Sequence, residues 1–265
     1  MNCLILPKLT DNLGLLYKGQ QENETKSLLF INGDNNLKEN LHFFEMSLNL
    51  LFDITKTHKN INDNELTIQY IGIRLFNNLT AALRLLLFGY YQLSYSAQRD
   101  VVEVSFLLDY FSSNTKEISA WKTADAKAKK KYKPEKIRNA LDERDKLKKG
   151  QGQRDLIYKM FCEYAAHATY VGNKLVAPKG LGIIGPFYDE KHLKCCFGEL
   201  VKWASVSSLY YKAHFSLPEG YKKLEINYLL EFKHWWERTY KTKVVDSSFD
   251  DLRTIKYLID KLGIL

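Results

Sequence analysis

Arg99 and Glu103 stand one helical turn apart among Tyr95, Phe106 and Tyr110. A charge set among aromatic rings is costly unless paired, so each is the expected partner of the other. Such a pair either fixes helix packing or floors a site in which a desolvated charge shifts its neighbours' pKa values. His167 is the one histidine of six that lies on a clear apolar face, near Met160 and Tyr164, with Glu163 one turn before it. If the two faces met, Arg, Glu, His and Tyr would share a dry setting suited to proton transfer. The structural alternative is a hydrogen-bonded core histidine.

A different chemistry is written in the run Lys127, Lys129, Lys130, Lys131, Tyr132, Lys133, continued by Lys136 and Arg138. Closely spaced ammonium groups can follow a phosphate backbone, with Tyr132 stacking on a base. The plain alternative is a solvated connector between two helices. The run belongs to residues 122–159, where fourteen Lys/Arg face six Asp/Glu, an excess equal to the +8 of the whole chain. The remainder of the sequence is electrically neutral. A localised positive field attracts polyanions such as RNA, DNA or nucleotides. An acidic protein partner would answer to the same field.

The elements that must carry these groups are helical. Leu37, Leu41, Phe44, Leu48 and Leu51 recur at helical spacing. A second pattern covers residues 63–88 and stops at Gly89, suited to a C′ position, and a third runs on to about Ser112, so the two should form an antiparallel hairpin. On the third, Ala97, Val101, Val104, Leu108 and Phe111 line one side while Tyr95, Phe106 and Tyr110 line the other, the mark of a central, buried helix. Further helices are expected near residues 115–124, after Pro134, and over residues 154–171, 189–215, 219–241 and 247–262, with Trp203, Trp235 and Trp236 as core. Residues 12–26 read as polar enough to stay unordered, and residues 172–186 as a loop. Nothing alternates with period two over a convincing length. The expectation is an all-α multi-helix bundle built around a long helical hairpin. It divides into an N-terminal extension (1–34), a helical core (35–188) and C-terminal helices (189–265), packed as one continuous domain.

Several chemistries lack support. Gly180, Gly182 and Gly185 match a dinucleotide-binding spacing, but Pro186 follows and no strand precedes. Glu39/His42 and Glu231/His234 have the spacing of di-iron carboxylate bundles, yet on helical wheels they face water, so no metal or other cofactor is expected. The four cysteines have no CxxC spacing, the first residues lack a secretory pattern, and the most apolar run is too short to span a membrane. The sequence reads as a reduced, cytoplasmic protein with no membrane association.

The stretch from Gly89 through Arg99 to Glu103, followed by Trp121, Tyr158, Tyr164, His167 and Gly185-Pro186, resembles a group of bacterial helical domains of unknown function near the HEPN-type domains of phage-defence and toxin systems. The resemblance covers about residues 63–190. It implies a helical hairpin core, homodimerisation, RNA binding or cleavage, and a site at Arg99, Glu103, Tyr158 and His167, with an operon-encoded protein as a further partner. Active HEPN ribonucleases carry Arg-x4–6-His, and no arginine here is followed by a histidine at that interval. That departure argues against cleavage.

Overall fold

The computed structural model describes residues 11–147, 152–166, 168–178, 180–216 and 222–241. Its helices are α1 (Asp11–Gly33), α2 (Asn35–Thr57), α3 (Asp63–Phe88), α4 (Tyr91–Ser113), α5 (Lys116–Lys122), α6 (Pro134–Arg144), α7 (Gln153–Phe161), α8 (Glu190–Lys212) and α9 (Lys222–Tyr240). Short 3₁₀ turns occupy Ala128–Tyr132 and Gly172–Val176, and one turn of π-helix follows α7 over Cys162–Ala166. No strand occurs among the described residues, and the protein is an all-α multi-helix bundle.

The α3–α4 hairpin forms as the spacing requires. Asn62 caps α3 by accepting the Glu65 N–H at 2.9 Å. Gly89 ends the helix at φ +88°, and a Cβ there would lie 2.1 Å from the Phe187 carbonyl oxygen, so conformation and space both demand glycine. The returning helix is held antiparallel by Arg74 Nε donating to Asp100 at 2.8 Å and by Ser94 Oγ donating to the Ala82 carbonyl at 2.8 Å. Helix α3 has the length and apolar content of a membrane-crossing helix, but Ile68, Leu75, Leu79, Ala82 and Leu86 are buried and the helix packs on α1, α2, α4 and α8.

Helix α4 is central, buried on both of the expected sides. Phe106 meets Trp203 of α8 edge-to-face at 5.8 Å. Trp203, Trp235 and Trp236 are core residues, the last two in an aromatic group with Phe43 and Phe232 that seats α9 on α2.

Three expectations need correction. Residues 12–26 belong to α1, because polar side chains of that helix do structural work that composition does not register: Asn23 donates to the Phe88 carbonyl at 3.0 Å and, just beyond the stretch, buried Ser27 to that of Leu87 at 3.1 Å, satisfying the open C-terminal end of α3. Residues 172–186 are not all loop, since a 3₁₀ turn covers the first five of them. The helix expected over 154–171 stops as α-helix at Phe161. Thr169 Oγ1 donates to the Glu163 carbonyl at 2.5 Å and accepts the Gly172 N–H at 2.9 Å, diverting backbone groups from the helical ladder. The helix expected over 247–262 lies outside the described residues.

Candidate functional site

Helix α4 presents Arg99 and Glu103 toward α7 and the π turn that follows it. Their charges meet at 2.5 Å, as expected for a pair one turn apart. Arg99 Nη2 also donates to the Tyr158 hydroxyl at 2.8 Å, and its Nε to the Cys162 sulfur at 3.3 Å. Arg138 of α6 lies over the opposite partner of this group, its guanidinium 3.9 Å from the Tyr158 ring centroid and its Nη2 donating to Asp155 at 3.1 Å. Of the four residues carried by the resemblance, Arg99, Glu103 and Tyr158 are therefore together; His167 lies outside the described residues. The group floors a cleft of about 1590 Å³ between α4, α6 and α7.

The electrostatics of this floor favour holding charge over moving protons. Burial pulls the Arg99 guanidinium down, but its bonds to Tyr158 and Cys162 and the charge of Glu103 outweigh it, leaving its pKa above the ordinary value. Burial raises the Tyr158 phenol against the opposing bond from Arg99. Neither group loses its proton near neutrality. Six carboxylates and four cations line the cleft, so it is not an anion trap.

A second charged cluster, which the sequence reading missed, lies deeper. Arg154 of α7 is buried and donates to Asp142 at 2.7 Å and Asp145 at 2.6 Å, with Asp109 of α4 at 3.8 Å. Arg144 bonds Asp109 at 2.9 and 3.0 Å and Asp145 at 2.8 Å. Two arginines and three aspartates thus tie α4, α6 and α7 together. The signal for it was Asp109: a carboxylate between Leu108 and Tyr110 on a helix buried on both sides must have a cation.

This cluster changes the charge reading of residues 122–159. Arg144 and Arg154 are internal, Lys122 pairs with Asp63, Lys131 with Glu117, and both Arg138 and Lys159 with Asp155. Asp63, Asp109 and Glu117 come from outside the segment, so part of its positive excess is met by the rest of the fold. Lys127, Lys129, Lys130, Lys133, Lys136 and Lys146 are exposed and have no ion pair among the described residues. All but Lys146 lie on the 3₁₀ turn, its flanks and the first turn of α6, where Pro134 at the first helical position turns the chain. Tyr132 is half-buried, donates to Glu117 at 2.8 Å, and carries the Lys131 ammonium 5.8 Å from its ring centroid.

No family model, curated protein or solved structure matches the chain. Glu39 pairs with Arg238, His42, Glu231 and His234 are exposed, and no cluster of three metal-ligating side chains occurs among the described residues. Gly180 and Gly185 adopt positive φ of 81° and 89°, and no helix opens between them. Cys162, Cys195 and Cys196 are free thiols.

Proposed function

We propose that the protein binds RNA or another nucleic acid through the lysine ridge formed by Lys127, Lys129, Lys130, Lys133 and Lys136. The observation that carries this reading is that these five ammonium groups, clustered on one connector, stay exposed and without ion pairs among the described residues, while Lys122, Lys131, Arg138, Arg144, Arg154 and Lys159 of the same segment are drawn into carboxylate contacts. A fold that spends carboxylates on Lys122, Lys131 and Lys159 but none on the ridge leaves five lysines against the two nearby acids Asp125 and Glu135, a net positive surface. Lys131 and Arg138 then support the ridge rather than form its contact face. The Arg99–Glu103–Tyr158 group is read as a tie between α4 and α7, and cleavage is not part of the proposal. The resemblance to HEPN-adjacent domains adds a phage-defence or stress setting and a homodimer to the same reading.

Salt-titrated binding tests it. Five lysines each neutralising one phosphate of a single strand give a slope of log K against log[salt] near −3.5, at about −0.7 per contact. Lys129→Glu with Lys130→Glu and Lys133→Glu should abolish binding and leave the thermal midpoint unchanged. A ridge that serves an acidic protein partner would instead give no RNA affinity in the unaltered protein at any salt concentration.

A further inference from the structure

A crevice of about 400 Å³ opens directly beneath the lysine ridge. Its lining is Tyr110, Ile137 and Ala140 on the inside and Lys130, Lys131 and Lys136 around the rim. The volume falls within the range of small-molecule sites, roughly 300–1,000 Å³. The chemistry divides cleanly by depth: carbon and one aromatic ring at the bottom, ammonium groups at the mouth. The Tyr110 hydroxyl makes no hydrogen bond among the described residues. Lys130 and Lys136 have no carboxylate partner among them either.

Resting on the nucleic-acid reading above, we propose that this crevice seats the base of one unpaired nucleotide, so that the ridge takes single strands in preference to duplexes. Lys130 and Lys136 of the rim hold the flanking phosphates, the apolar floor accepts the flat face of the base, and the Tyr110 hydroxyl is the polar group of the floor that can meet its edge. An anion without an apolar body would leave the floor empty, and an apolar ligand without charge would leave the rim unanswered. A duplex meets the rim alone, because its bases are stacked and paired and extruding one costs a few kcal/mol. An unpaired base is already free to turn inward.

The test compares a single strand of about 15 uridines with a duplex of the same length by fluorescence anisotropy at one salt concentration. The unaltered protein should prefer the single strand. Ala140→Trp, which fills the crevice and touches no charge, should weaken single-strand binding about tenfold and leave duplex binding unchanged. Because a bulky side chain can disturb α6, the second measurement uses the unaltered protein: a 4-thiouridine-substituted strand, irradiated and mapped by peptide mass, should crosslink to Tyr110 or within residues 130–140. Equal affinity for both forms together with crosslinks elsewhere overturns the crevice and leaves the ridge standing. Absence of binding to either form overturns both.

Discussion

Arg154→Met would test the buried charge cluster most directly. The substitution keeps most of the volume and the apolar stem while removing the cation that faces Asp142, Asp145 and Asp109. Arg144 remains, bonded to Asp109 and Asp145, so the cluster goes from two cations and three carboxylates to one and three. Asp142 loses its cation among the described residues. Breaking a buried pair from one side costs about 3–5 kcal/mol. With a urea m-value of about 3 kcal/mol/M, the midpoint falls by about 1–1.7 M. The sign of the pH dependence discriminates further. In the native cluster burial raises the Asp145 carboxyl, but Arg144 and Arg154 more than reverse it and hold it below the ordinary value, so its contribution is present above the unfolded pKa and is lost as pH falls through the folded one. In the variant, the carboxylate left without a cation costs free energy only while it is ionised, so that cost disappears once it is protonated. The deficit should therefore be largest at pH 7.5 and shrink toward pH 4, read by urea unfolding followed through tryptophan fluorescence. A deficit under about 1 kcal/mol, or one equal at both pH values, would refute the view that paired charge holds α4, α6 and α7 together.

Two further outcomes follow from single contacts. Gly72→Ala should destabilise by about 1–3 kcal/mol although alanine is the better helix former, because the new Cβ would lie 2.3 Å from the ring of buried Tyr211; a raised melting temperature would contradict it. His214, whose Nε2 lies 3.0 Å from the Leu108 carbonyl, has its pKa pushed down to about 4 by burial, with Leu108 and Asp109 opposing, so the unfolded chain protonates first. That histidine's contribution is complete above its unfolded pKa near 6.5 and is lost between there and about 4, so His214→Gln should flatten the fall in melting temperature over that interval; an unchanged slope would count against it.

The sequence carried the helices that bury apolar stripes. The row from Leu37 to Leu51, the Gly89 stop and the two-sided character of α4 were all legible because burial and backbone conformation act locally through residue type and spacing. The Arg99–Glu103 pair was legible for the same reason, being one turn apart on one helix. The α1 helix was not. Asn23 and Ser27 earn their place by bonding carbonyls of Phe88 and Leu87 some 65 and 60 residues away, and no local pattern encodes a partner at that separation. The Asp109–Arg144–Arg154 cluster escaped likewise, since charge along a chain is counted by position while charge in a fold is cancelled across helices.

That difference explains why net charge over a segment overstates what a ligand would meet. Arg144 and Arg154 contribute to the excess in residues 122–159, yet one is largely and the other wholly withdrawn from solvent, so neither can contact a phosphate. Five of the lysines that remain lie where a five-residue 3₁₀ turn leads through Lys133 and Pro134 into α6. Such a connector offers little apolar burial of its own: its residues are exposed apart from Tyr132, which is anchored to Glu117. Packing therefore does not dictate the identity of Lys127, Lys129, Lys130 or Lys133, and any polar residue would serve the fold equally well. Like charges gathered there repel one another, with Asp125 and Glu135 the only acids in the same stretch, and neither forms an ion pair with them among the described residues. The lysines that make no ion pair among the described residues are the ones the proposed nucleic-acid contact would use, whereas Arg99, Arg138, Arg144 and Arg154 are already engaged by side chains of the fold.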